Sequence, residues 1–246
     1  MAKKTKKSGK KSSGNGSGSG SGVSTNANTN TSAGEMSRKL RPHEVVLAAA
    51  NAVADVMADF PVFSSFKRNG VNARIESKHA AELDEATRDA IVSMFEANMK
   101  HQYEGSDWGY DAVAKKTELF EDDERYLLAL DVDADADNSE SSLLGFVHFR
   151  FVDDDDVEVL YIYEIQIAES MQRKGLGKFL MQILLLVARK QRMKLVVLTV
   201  FKSNASAMAF YRNKMGFSID ETSPSACGDQ SQSYEILSKA VDSAFK

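Results

Sequence analysis

The 246-residue sequence predicts a mixed α/β domain, a mostly antiparallel central sheet flanked by helices with an extra N-terminal helical segment. Three observations carry this. Apolar residues recur at helical spacing on both sides of three consecutive strand-like segments, an amphipathic stripe follows Gly177, and Leu195-Val196-Val197-Leu198 has the unbroken apolar character of a buried strand. The resulting order is helix, strand, helix, three strands, then strand–helix units.

The chain opens with six lysines (Lys3, Lys4, Lys6, Lys7, Lys10, Lys11) and no acid before Glu35, followed by a stretch made almost only of Ser, Gly, Asn, Thr and Ala. Such a composition cannot bury enough apolar area to offset chain entropy. Residues 1–38 are therefore expected to form a disordered basic tail and linker, and residues 39–246 one folded domain. The formal net charge of −4 then hides a division, a basic tail on a more acidic body. The tail suits an import receptor or nucleic acid, and the body suits a basic ligand.

A first helix is expected from Pro42, which tolerates a first helical turn, through an Ala/Val-rich stretch to Phe60. Asn69-Gly70 marks a turn, after which Val71, Ala73 and Ile75 alternate as a short strand. A second helix runs from Leu83 to Tyr103, with Ala86, Ile91, Met94, Phe95 and Met99 on its stripe and Gly105 as its stop. The loop Ser106-Asp107-Trp108-Gly109-Tyr110 holds the only tryptophan. Strands follow at 126–130, 144–151 and 157–167, the last two joined by the acidic turn Asp153 to Asp156. A helix from Gly177 to about Gln191, a strand from Lys194 to Phe201, a helix from Ala205 to Lys214 ending at Gly216, and a strand near 234–237 complete the order. The acidic segment 131–142 reads as an enlarged loop.

No run of about 18 apolar residues occurs, so no membrane span is expected, and the protein reads as soluble and intracellular. Cys227 is the single cysteine and has no base beside it in sequence, which favours a structural or surface thiol. His43, His79, His101 and His148 are scattered without metal-ligand spacing, so no metal is expected.

The informative piece is Gln172-Arg173-Lys174-Gly175-Leu176-Gly177, between a strand and an amphipathic helix. Glycines let successive N–H groups at a helix N-terminus converge on an anion, and Arg173 and Lys174 add charge. Its glycine spacing matches neither a mononucleotide nor a dinucleotide loop. This hexapeptide, with Asn204 and Phe210-Tyr211-Arg212-Asn213-Lys214-Met215-Gly216-Phe217 downstream, resembles the coenzyme A elements of the GNAT acetyltransferases. Phe60-Pro61-Val62-Phe63, Asp107-Trp108-Gly109, His148-Phe149-Arg150-Phe151, Leu160-Tyr161-Ile162-Tyr163-Glu164, Lys174-Gly175-Leu176-Gly177-Lys178-Phe179-Leu180 and Leu198-Thr199-Val200-Phe201-Lys202 further resemble the histone-specific N-terminal acetyltransferases within that superfamily. The likeness covers roughly residues 40–240.

That resemblance implies a GNAT fold, acetyl-CoA as cosubstrate, and histone tails beginning Ser-Gly-Arg-Gly as substrates, in nucleus and cytoplasm. It assigns Glu164 as general base, a role that also suits a carboxylate within an apolar strand; a structural ion pair is the other reading of the same residue. It implies cofactor contacts from Ile165, Gln166, Ile167, Gln172, Arg173, Lys174, Gly175, Leu176, Gly177, Lys178 and Asn204. The peptide groove would be walled by Tyr103, Trp108, Tyr163, Thr199, Thr222 and Tyr234. A substrate arginine would be met around Val152, Asp153 and Asp154, where Val152 stands in place of the family's acid. Tyr211 matches the general acid of some relatives, and an aromatic at that spacing is equally a core residue. An α-amine, with a pKa near 8, is neutral in about one molecule in ten at pH 7 and so asks less of a base than lysine does. Acetylation of lysine or a small amine, and an inactive histone-binding module, remain the competing readings.

Overall fold

The computed structural model describes residues 40–121, 123–134 and 143–241. The expected basic tail and most of the acidic 131–142 segment lie outside the described residues. None of the described helices is long and apolar enough to cross a membrane.

Eight strands form one sheet in the order β1-β2-β3-β4-β5-β6-β8-β7. They are β1 Ser65–Arg68, β2 Val71–His79, β3 Arg125–Asp131, β4 Leu143–Asp154, β5 Val157–Ile167, β6 Leu195–Phe201, β7 Ser218–Ile219 and β8 Tyr234–Ala240. Pairing is antiparallel throughout except between β5 and β6. The helices are α1 Pro42–Asn51, α2 Glu85–Glu104, α3 Ala112–Leu119, α4 Leu176–Lys190 and α5 Ala205–Ala209, which continues as a wider π-type turn over Phe210–Met215.

The expected antiparallel meander is present as β3, β4 and β5, and three departures have local causes. α1 stops at Asn51, well short of Phe60. The Asp55 carboxylate accepts from Met57 N–H at 2.7 Å, and Pro61–Phe63 forms a separate 3-10 turn. The Asn69-Gly70 turn joins two strands, because both residues have positive φ (53° and 73°) and so bring β1 back onto β2. An unforeseen helix, α3, starts after Asp111, whose side chain accepts from the N–H groups of Val113 and Ala114, both at 3.0 Å.

Two apolar layers cover the sheet. On one face α1 and α4 pack through Leu47, Ala50, Leu180, Ile183, Leu184 and Val187 against Val147, Phe149, Leu160, Ile162 and Leu198. On the other, α2 packs through Ile91, Phe95, Met99 and Tyr103 against Tyr126, Leu128, Phe146 and Phe201. Each fully buried side chain of this size contributes about 1.5–3 kcal/mol. Polar ties add to the first layer. The Arg125 guanidinium, itself 2 % exposed, donates to the carbonyls of Val53 at 2.7 Å and Asn51 at 2.8 Å, and Asn51 donates in turn to Phe151 O.

Candidate active site

The strand alternation of β5 breaks once. His148 stands opposite Glu164 and Phe149 opposite Ile162, which leaves Tyr163 as an extra residue in β5. Such a bulge bends the strand and resets which face its side chains take. Tyr161 and Tyr163 then share a face with Glu164 and Gln166. Tyr163 lies against His148 (5.2 Å between ring centres) and Tyr161 (4.9 Å), while Gln166 meets Asn98 of α2 on that same face. Below the bulge, β5 and β6 remain paired only from Val159 to Ile162, so the two strands part where Glu164 begins.

A cleft of about 730 Å³ opens at that parting. Its walls include Ile165, Gln166, Ile167, Gln172, Arg173, Gly175, Gly177 and Lys178 on one side and Thr199, Asn204, Tyr211, Asn213 and Lys214 on the other. Gly175 has φ +100°, a left-handed conformation that turns the chain into α4 and leaves the first N–H groups of that helix directed outward. With Arg173 and Lys178 beside these donors and Lys214 on the facing wall, the cleft has the chemistry to hold a phosphorylated ligand.

Two residues expected there take other roles. Leu176 is 1 % exposed and packs into the core, as the first turn of an amphipathic helix requires, so only its main chain faces the loop. Lys174 turns its ammonium to Met171 Sδ at 3.8 Å, and its carbonyl accepts from Asn69 Nδ2 at 2.8 Å; it is not among the cleft-lining residues. Asn204 lines the cleft and also caps α5, its side-chain oxygen accepting from Ala207 N–H at 3.1 Å.

Glu164 lines the cleft and is 4 % exposed. Both its oxygens are engaged. Oε1 accepts from Lys115 Nζ at 2.8 Å, and Oε2 accepts from Gln166 Nε2 at 2.8 Å. Gln166 is itself held by Asn98 Nδ2 at 3.0 Å, which also donates to Ile167 O at 3.1 Å. The ion-pair reading of Glu164 and the cleft position thus both hold, since a carboxylate can be paired on one side and face a ligand on the other. Across the cleft Tyr211 belongs to the core cluster as well as to the wall; burial, and then the Glu164 charge, push its phenol well above the usual tyrosine range.

Beside Glu164 an aromatic group closes the space between the α2–α3 loop and β6 and β8. Trp108 packs on Tyr234 at 5.0 Å, Phe201 at 5.4 Å and Tyr103 at 6.3 Å. Ser233 Oγ donates to Asp107 of that loop, and Ser203 Oγ donates to Gln102 in the last turn of α2 at 2.5 Å, tying both to the end of the sheet. Thr199 lines the cleft and shares a 2.6 Å hydrogen bond with Tyr161 OH. Thr222 instead gives its hydroxyl to Asp220 at 2.7 Å, so its polar group is used within the β7–β8 connection.

The acidic turn divides by strand alternation. Val152 packs with Tyr161, Tyr163 and Tyr234 on the aromatic face. Asp153 points the other way, to His43 Nε2 at 3.0 Å and to Arg41 at 3.8 Å, and Arg41 also pairs with Asp156. Asp153 therefore departs from its expected substrate-side role because it stands one residue out of phase with Val152 and Asp154. His43, Asp153 and Asp156 bring possible metal-ligand atoms within 4.8 Å of one another, and the Arg41 guanidinium already answers both carboxylates.

Several groups were not foreseen. Lys115 and Glu118 come from α3, whose Asp111 cap was the available signal. Glu124 and His148, 1 % and 0 % exposed, contact each other next to Tyr163; burial raises the Glu124 carboxyl to about 8 and drives the His148 imidazole well below its usual value. Arg150 reaches Glu121, Asp123 and Glu124 at 3.4, 3.2 and 3.3 Å.

Comparison with known proteins adds a family. The model described as "Acetyltransferase (GNAT) family" matches residues 88–217. Mycothiol acetyltransferase of Tsukamurella paurometabola is 29 % identical over 133 residues, 54 % of this chain and 45 % of that protein, so the chain spans about half the length of this relative. An acyl-CoA N-acyltransferase from Pseudomonas aeruginosa superposes with a TM-score of 0.50 at 16 % identity, covering 68 % of this chain and 99 % of that one. Arabidopsis thaliana NAA60, in complex with a bisubstrate analogue, gives 0.49 at 14 % identity over 69 % and 99 %.

Proposed function

Because the chain belongs to the acetyltransferase (GNAT) family, we propose that it moves an acetyl group from acetyl-CoA to the N-terminal α-amine of histone tails beginning Ser-Gly-Arg-Gly. The observation that carries the reading is the position of Glu164. It stands after the Tyr163 bulge, at the junction of the long cleft and the Trp108 aromatic wall. A carboxylate at that junction can meet an amine entering from one side and an acyl carrier from the other.

Acetyl-CoA supplies the activated thioester. On the protein side, the helix-start N–H groups of Gly177 and Lys178, with Arg173, would hold its diphosphate, and the β5 segment Ile165 to Ile167 would run along its pantetheine arm. Glu164 accepts the proton that the amine nitrogen sheds as it bonds to the acetyl carbon, and the sulfur leaves as thiolate, which takes a proton from water to end as free thiol while Glu164 returns its own to solvent. Tyr103, Trp108 and Tyr234 exclude water around a short, extended N-terminus. Asp154, sharing the Val152 face, is the acid of the turn suited to a substrate arginine.

The choice of an α-amine follows from the resemblance of the groove residues to the histone-specific N-terminal acetyltransferases and from the lower basicity of that amine. Histone tails would be met in the nucleus and, before import, in the cytoplasm, with the lysine tail serving an import receptor or nucleic acid. Incubation with acetyl-CoA and a Ser-Gly-Arg-Gly peptide, with the acetyl mapped by mass spectrometry, tests the proposal. An acetyl group on the leading nitrogen is expected; modification of lysine alone, or continued turnover of a peptide with a blocked N-terminus, would reject it.

A further inference from the structure

Lys115 is an unusual companion for a proton-accepting carboxylate. Its ammonium is buried, 4 % exposed, and all three of its N–H donors are used: Glu164 Oε1 at 2.8 Å, Glu118 Oε1 at 2.8 Å and Tyr103 OH at 3.3 Å. It also lies over the rings of Phe95 at 4.6 Å and Tyr103 at 5.4 Å. A buried ammonium so completely satisfied keeps its charge. Burial alone would lower its pKa, yet Glu164, Tyr103 and Glu118 outweigh that and hold it above the ordinary lysine range.

We infer that Lys115 is a positioning residue for acetyl transfer, fixing the Glu164 carboxylate and, as a resident cation beside it, offsetting the pull of Glu164 and Glu118 on an incoming ammonium so that the nitrogen gives up its proton more readily on docking. The inference rests on the amine-acetylation reading above. A nucleophilic nitrogen needs its lone pair, and a like charge a few ångströms away disfavours the protonated form. The first proton leaves to bulk water. The second, shed as the N–C bond forms, passes to Glu164, which Lys115 and Gln166 hold by its two oxygens.

The charged and titratable groups around Lys115 come from every element packed on it: Glu118 on α3 itself, Tyr103 and Tyr110 from α2 and the loop after it, Tyr126 of β3, His148 of β4 and Glu164 of β5. Burial drives His148 towards its neutral form and raises the phenols of Tyr103, Tyr110 and Tyr126, so near neutral pH none of these four adds a charge beside Lys115.

The test is the pH profile of kcat with saturating acetyl-CoA and the Ser-Gly-Arg-Gly peptide, for the full chain and for Lys115→Met, Lys115→Arg and Glu118→Gln. Calorimetry with acetyl-CoA serves as the check of folding. Lys115→Met is expected to move the acid limb up by about one pH unit, with a roughly tenfold lower kcat at pH 7. Lys115→Arg keeps the limb in place, and Glu118→Gln, which removes a negative charge, moves it down. Parallel limbs in all variants, whatever their rates, would overturn the inference and leave Lys115 a purely structural ion. Should Lys115→Met not bind acetyl-CoA, an unmoved limb in Glu118→Gln decides against it in the same way. A wild-type chain that releases no thiol at any pH would instead overturn the transfer reading on which the inference stands.

Discussion

His148 stands directly across the β4–β5 ladder from Glu164, while Phe149, the next residue along β4, stands across from Ile162. The skipped residue, Tyr163, sets two consecutive side chains of β5 to work on one face. Without that slip Glu164 would turn into the layer occupied by α4, away from Lys115 and the aromatic wall.

Replacing Glu164 with Gln keeps the size of the side chain and removes its capacity to take a proton. Turnover is expected to fall by about 10²-fold or more, with little change in acetyl-CoA affinity. Thiol release measured beside calorimetry checks both halves, and unchanged turnover would remove Glu164 from the mechanism.

Trp108→Ala strips the centre from the Tyr103, Phe201 and Tyr234 contacts. Aromatic pairs of this kind are worth about 0.5–1.5 kcal/mol each beyond their buried area. If peptide and acetyl-CoA meet Glu164 from opposite sides, as proposed, the peptide KM rises about tenfold while acetyl-CoA binding stays within about twofold. A matching loss of cofactor affinity would show that the two sides are not separate.

Gly175→Ala places a Cβ on a residue with φ +100°, at a cost of about 1–2 kcal/mol. Relief of that strain would reshape the turn that directs the first N–H groups of α4. Lower thermal stability together with roughly tenfold weaker acetyl-CoA binding is expected. An undiminished affinity would mean that the loop is not the phosphate cradle.

The Glu124–His148 pair makes stability depend on pH. Glu124, raised by burial to about 8, contributes stability that is full below its unfolded value of about 4.3 and lost as pH rises through 8. His148, depressed by burial, contributes stability that is present above its unfolded value of about 6.5 and lost as pH falls below it. Below about 6.5 the two act in opposite directions. From about 6.5 to 8 the folded state holds one proton more than the unfolded state, so stability declines by about 1.4 kcal/mol per pH unit, or about 2 kcal/mol in all. Urea unfolding across that range measures the decline, and Glu124→Gln is expected to abolish it. An equal decline in the variant would assign the effect to other groups.

Much of the sheet was legible because its signals are periodic and local. The β3–β5 meander, the stripe of α4 and the apolar run of β6 all state their burial in their own residues. The glycine turn before α4 was legible for the same reason. What sequence could not convey is pairing at a distance. Lys115 reads as one more lysine in a polar stretch, and only the packing of α3 brings it to Glu164, 49 residues away. The phase of Asp153 was hidden for a different reason: a run of like residues gives no sign of which members face which side, and the β4 ladder alone decides that Val152 packs with Tyr161 and Tyr163 while Asp153 faces α1. The sequence predicts a longer α1 because Ala and Val continue a helical composition past Asn51, where the helix ends, up to the turns at Asp55 and Pro61.

Arg125 holds the carbonyl end of α1 by two of its guanidinium nitrogens, from within an apolar layer. A greasy contact alone would tolerate a helix sliding a few ångströms along its groove, since one methyl can replace another. A fork gripping two main-chain oxygens tolerates no such slippage: any displacement strands a charge among hydrocarbons. The first helix is thus keyed to a single seat on the sheet, and mutations elsewhere along it should loosen the domain without letting it settle into a neighbouring register.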